Sequence, residues 1–87
     1  MTYYPTDDTA LASFLYLKGV KIVQGTTPNP QHQRRRFFIF VEDEKLSDLV
    51  KRFYNREALV VPIEYQEART YISRFLKVDI KNPKEYI

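Results

Sequence analysis

Three arginines, Arg34, Arg35 and Arg36, run without a break into Phe37-Phe38-Ile39-Phe40-Val41, and no other stretch narrows the choice of fold as much. The apolar residues are β-branched or aromatic, types that suit a pleated strand, and an acidic cluster, Glu42-Asp43-Glu44, ends the run. Alternate residues of a strand share a face. Arg34, Arg36, Phe38 and Phe40 therefore lie on one side, and Arg35, Phe37, Ile39 and Val41 on the other, so each face joins charge to apolar surface. Two readings follow. In one, Phe37 to Val41 is core on both faces under covering helices, and the arginine triplet is a charged strand end that discourages edge pairing. In the other, the guanidinium forks face an anionic partner.

With 87 residues there is room for one core, so residues 1–87 form a single domain, with its core at about 7–77 and a loosely held tail at 78–87. The chain is 44% hydrophobic, with seven Tyr and six Phe, which is enough apolar side chain for packing and argues against disorder. The absence of cysteine excludes disulfides, thiolate metal sites and thiol catalysis, and fits a reducing compartment. No apolar run reaches the eighteen or so residues of a membrane span. Met1-Thr2-Tyr3-Tyr4-Pro5 has neither the cationic start nor the apolar stretch of a signal peptide. A cytoplasmic protein with no membrane partner is expected.

A first helix is predicted from Thr6 or Asp7 to about Lys18. Short oxygen-bearing side chains cap its start, Leu11, Phe14 and Leu15 recur at helical spacing, and Gly19 ends it. Val20 to Gln24 and Arg35 to Val41 read as two strands of a β-hairpin. Gly25 to Gln33 between them is all turn chemistry, and Pro28 and Pro30 lack the N–H that ladder pairing needs, which predicts a long tip standing off the body. A second helix starts at Asp43 or Glu44 and ends near Tyr54 or Asn55, with Leu46, Leu49, Val50 and Phe53 on one face. Ala58 to Val61 is either a short third strand or an extended connector, because Pro62 forces the preceding residue to be extended. Pro62 also suits the first turn of a third helix, which reaches about Lys77 on a stripe of Tyr65, Ala68, Tyr71, Ile72, Phe75 and Leu76, with Arg69 and Arg74 outside it. The fold class is α+β, a hairpin packed among three helices in the order α-β-β-α-(β)-α.

Three stretches carry a resemblance to a known family: Asp-Asp-Thr-Ala-Leu-Ala-Ser-Phe-Leu-Tyr-Leu-Lys-Gly from Asp7, Phe-Phe-Ile-Phe-Val-Glu-Asp from Phe37, and Phe-Tyr-Asn-Arg-Glu-Ala-Leu-Val-Val-Pro from Phe53. Together they resemble a family of small bacterial and phage domains of unknown function. The likeness spans roughly Asp7 to Leu76 and consists of caps and core positions. It implies a fold, assigns no functional residues and names no activity. The basic hairpin tip departs from its pattern.

The catalytic repertoire is thin. His32 is the only histidine and sits in a proline-flanked loop, so no base is held beside a nucleophile. No second histidine, cysteine or calcium-loop pattern accompanies it, and two glycines do not make a phosphate-cradling loop. Asp43 and Lys45 loosely resemble the acid-x-Lys of a metal-dependent nuclease. The first strand supplies no second acid to share a metal, and acids at a helix start have a simpler cause in the helix dipole. A binding module with no catalysis, cofactor or metal is therefore expected.

From Lys18 to Val41 every charged residue is basic. A two-stranded ribbon fits a DNA major groove, and exposed aromatics can stack single-stranded bases. Lys21, Arg34, Arg35 and Arg36 are the candidate phosphate contacts, provided the protein's own carboxylates leave them unpaired. Asn29, Gln31, His32 and Gln33 at the tip are candidate base or backbone contacts. The alternative is a protein-binding or dimerisation module of a phage or mobile element, because a sheet of two or three strands exposes edges that a second copy, or a host or viral protein, could cover.

Overall fold

The computed structural model describes residues 1–87, the side chain of Gln33 excepted. The elements are β1 (Tyr3–Thr6), α1 (Thr9–Leu17), β2 (Ile22–Asn29), β3 (His32–Val41), α2 (Leu46–Tyr54) and α3 (Pro62–Ser73). Two short 3₁₀ turns follow, Arg74–Lys77 and Pro83–Glu85.

Each helix starts where its capping chemistry lies. Asp8 accepts the N–H groups of Ala10 at 3.0 Å and Leu11 at 3.1 Å to open α1, and Gly19, at φ +87°, supplies the left-handed exit. Asp43 does the same for α2, accepting from Lys45 and Leu46, both at 3.0 Å. Its carboxylate is thus engaged at a helix start. Pro62 occupies the first turn of α3. Leu11, Phe14, Leu15, Leu46, Ile72 and Phe75 turn inward to form one core, with Leu49, Val50, Phe53 and Tyr65 half-buried around it. Tyr71 and Leu76 of the third stripe remain exposed, and Tyr71 stacks on Tyr16 with ring centroids 4.7 Å apart.

Helix α2 closes with a non-glycine residue in a glycine conformation. Arg56 has φ +61°. Its N–H donates to Phe53 O at 3.2 Å and the N–H of Glu57 to Arg52 O at 2.8 Å, the paired bonds of a Schellman closure. A Cβ in the left-handed region costs on the order of 1 kcal/mol. Arg56→Gly is therefore expected to stabilise the fold by about 0.5–1 kcal/mol, read as a higher urea midpoint at unchanged slope. An unchanged or lower midpoint would refute this explanation.

The sheet has three antiparallel strands in the order β1-β3-β2. The arginine-led strand is thus central, and Phe38, Ile39 and Phe40 are all fully buried. The helices cover the face of Phe38 and Phe40. On the other face Tyr3, paired in register with Val41, meets Tyr86 of the tail edge-on at 4.7 Å. The α+β class stands as read, but the third strand comes from the N-terminus. Tyr3–Thr6 pairs with Phe38 to Val41, while Ala58 to Val61 lies outside the sheet and enters α3 through an extended Val61. The observed order is β-α-β-β-α-α.

The hairpin tip differs most from expectation. β2 does not stop at Gln24 but continues to Asn29, and Asn29 faces His32 across a turn of Pro30 and Gln31. Between Ile22 and Thr26 the register slips, Val23, Gln24 and Gly25 of β2 standing opposite Ile39 alone of β3. Gly25 sits in this bulge at φ +107°, where an added Cβ would lie 3.0 Å from Val78 O. Beyond the bulge, Thr26 points its backbone away from β3: its N–H donates to Val78 O at 2.8 Å, and its carbonyl accepts from Ile80 N at 3.0 Å. Backbone direction alternates along a strand, so Pro28 also turns its nitrogen to the outer edge, where no ladder bond is missed. The segment after Lys77, expected to be loosely held, runs beside β2 at this point, and Ile80 is buried.

Candidate anion-binding cleft

A cleft of about 760 Å³ opens where the far end of the hairpin meets the helices, lined by Asp7, Asp8, Thr9, Ala10, Arg34, Arg35, Arg36, Tyr54, Arg69 and Leu76. Its three walls come from distant parts of the sequence: β3 beyond its apolar run, the start of α1, and the sides of α2 and α3. Four guanidinium groups face two carboxylates across it.

The four arginines are not equivalent. Arg36 is locked. Its Nε donates to Thr26 Oγ1 at 2.8 Å, its Nη2 to Thr26 O at 3.1 Å, and the same Nη2 pairs with Asp79. Its side chain is only 25% exposed. This group buckles β3, β2 and the tail together. Arg35 Nη1 meets Asp7 Oδ1 at 3.3 Å, but its side chain is 56% exposed. A single-contact pair that open is worth well under about 1 kcal/mol, and an incoming anion can compete for it. Arg34 and Arg69 are exposed, and neither has a carboxylate partner among the described residues.

The carboxylates of the cleft organise it. Asp7 accepts from Arg35 through one oxygen and from Asn29 Nδ2, at 2.9 Å, through the other. Asp8, besides capping α1, accepts the Tyr54 hydroxyl at 3.1 Å. Partial burial first, and then the charge of Asp8 and the bond to it, raise the Tyr54 phenol above its ordinary value.

Of the expected phosphate contacts, Arg34, Arg35 and Arg36 all line the cleft, and Arg36 is held there by Thr26 and Asp79. The protein's own acids that pair with them are Asp7 and Asp79. Asn29 is likewise engaged, because it holds Asp7 and also accepts from Gln31 N at 2.9 Å. The tip is therefore braced against α1 and does not stand off the body. Gln31 and His32 are exposed at the turn. Lys21 is exposed just before β2 begins and takes no part in lining the cleft. The side chain of Gln33 lies outside the described residues. No group of three His, Cys, Asp or Glu side chains that could hold a metal ion occurs among the described residues, and no helix is long and apolar enough to cross a membrane.

Sequence reading missed Arg69, Asp7, Asp8 and Tyr54 as cleft residues. Arg69 had a usable signal. It stands four residues after Tyr65, beside Ala68 of the buried stripe, and so lies on the flank of α3 next to that stripe. What the sequence did not supply was that this flank faces the arginine strand.

Searches of curated proteins and of solved structures returned no match to this chain. A family profile does match it, over residues 1–82 of 87. The small α+β domain with its arginine-lined cleft thus belongs to the DUF5659 family, a domain of unknown function.

Proposed function

We propose that this domain is a non-catalytic binding module that holds a phosphate-bearing polymer, a nucleic acid in the first instance, in the arginine cleft. The observation supporting this is the convergence of Arg34 and Arg69, from different elements and without carboxylate partners among the described residues, beside the weakly held Arg35. Bound phosphate would take Arg35 from Asp7 while Arg36 keeps the frame. Tyr54 and the cleft backbone supply the polar rim.

Magnitudes set the expected affinity. Three available guanidinium groups neutralise about three phosphates at most, so binding without base contacts is weak, with Kd in the micromolar range or above at low salt. The corresponding slope of log K against log salt is about −2 to −3, which amounts to a loss of roughly 15- to 65-fold between about 50 and 200 mM. Fluorescence anisotropy with labelled single-stranded and duplex oligonucleotides measures this directly. No binding at low salt would remove the proposal and hand the function to a protein partner. Binding insensitive to salt would show that phosphate contacts do not carry it.

A further inference from the structure

The cleft arginines lie in a recess and not along a projecting ribbon. β1 pairs with β3 only as far as Thr6, opposite Phe38, and the chain then leaves the sheet to start α1 at Asp8. In the order β1-β3-β2, the part of β3 that precedes Phe38 therefore has no strand on that side. Arg34, Arg35 and Arg36 stand on this stretch, and Asp7 to Ala10, the residues that follow β1, line the cleft with them. A ribbon that reads a duplex has to enter the major groove. This one is tied down, because Asn29 and Arg35 both donate to Asp7 at the start of α1.

The lining is mixed in a way that suits one unpaired strand. A cleft of about 760 Å³ falls in the range that encloses a small-molecule-sized group such as a nucleotide. Arg34 and Arg69 offer donors to a phosphate. Asp7 and Asp8 repel a further phosphate, so what lies against them has to be uncharged, as the edge of a splayed-out base is. Tyr54, the aromatic ring among these lining residues, is 57% exposed, and its hydroxyl is held in place by Asp8. Phe38 and Phe40, the rings on which the sheet could have stacked bases, are fully buried. A duplex keeps its base faces stacked inside and brings only a phosphate ridge to such a recess.

We infer, resting on the nucleic-acid reading of the cleft, that it takes one unpaired strand, with a phosphate at Arg34 and Arg69 and the adjoining base stacked on Tyr54, and that it discriminates against duplex. Stacking on a single ring is tolerant of base identity, so the preference is for the form of the polymer and not for a sequence.

Labelled strands of about 12 nucleotides, one DNA and one RNA, are each titrated alone and annealed to a complement at about 50 mM salt, with anisotropy as the readout. At least one strand is expected to bind about ten-fold or more tighter than its duplex. Tyr54→Ala is expected to weaken the single strand by about five-fold or more, the loss of one base stack, and to leave duplex binding within about two-fold. The chain has no tryptophan, so Tyr54→Trp installs a lone indole in the cleft, whose emission the single strand is expected to quench and the duplex is not. That readout serves even if the alanine variant unfolds. No binding of any oligonucleotide would remove the nucleic-acid reading itself. Duplexes bound as tightly as their strands, or strand binding untouched by Tyr54→Ala and silent in the indole emission, would overturn the single-strand inference and leave that reading in place.

Discussion

Replacing Thr26 by valine is expected to cost about 2–4 kcal/mol, although the two side chains have nearly the same shape. Thr26 is fully buried, and its hydroxyl serves two elements at once. It donates to Phe75 O at 3.0 Å, tying the end of the third helix to the sheet, and accepts from Arg36 Nε at 2.8 Å. Valine leaves a buried carbonyl and a charged donor without that partner. Each loss costs on the order of 1–3 kcal/mol, and the charged group lies toward the upper end. A domain of this length has roughly 4–13 kcal/mol of total stability, so one hydroxyl carries a substantial share. Thermal unfolding should move down by about 10–30 °C. Thr26→Ser keeps the hydroxyl and gives up a methyl group, and should lose only about 1 kcal/mol. If valine proved as well tolerated as serine, the hydroxyl would not be holding Phe75 and Arg36 to the sheet.

The second large effect concerns binding. Arg34→Glu combined with Arg69→Glu removes two of the three available phosphate contacts and places two carboxylates beside Asp7 and Asp8. Removing single phosphate contacts weakens binding by several-fold and lowers the salt slope by about one each. Reversal adds repulsion, so a loss on the order of 100-fold at low salt is expected. The fold should be unaffected, because neither side chain is buried or ion-paired among the described residues. Arg36→Glu would be a misleading substitute. It breaks the tie to Thr26 and Asp79, so any loss of binding would be mixed with loss of structure.

Local chemistry was legible in the sequence. Gly19 ends the first helix, which starts at Asp8, one or two residues past the expected Thr6 or Asp7; Asp43 opens the second, Pro62 opens the third, and the run through Phe38 and Phe40 supplies the core strand. In each case the signal lies within a few residues of what it determines. The missed features depend on sheet order or on distant contacts. Tyr3–Thr6 is short and contains proline, and it becomes a strand because β3 offers it an open edge. Pro28 looked incompatible with a ladder, but its nitrogen faces the outer side of an edge strand, which only the order β1-β3-β2 reveals. The pairing of Arg36 with Asp79 spans 43 residues and has no local signature. The sequence therefore pointed to the arginine triplet without showing which member was available, and it left Arg69 on a helix flank with no indication of what that flank would meet.

A matched pair of double variants separates the cleft from general basic charge: Arg34→Glu/Arg69→Glu against Lys21→Glu/Lys51→Glu, which changes net charge equally at exposed positions that do not line the cleft. Anisotropy titrations of both with one oligonucleotide at about 50 mM salt should show the cleft variant weakened on the order of 100-fold and the lysine variant by no more than a few-fold. Equal losses in the two would mean that the polyanion senses only overall charge, and the arginine cleft would not be its site.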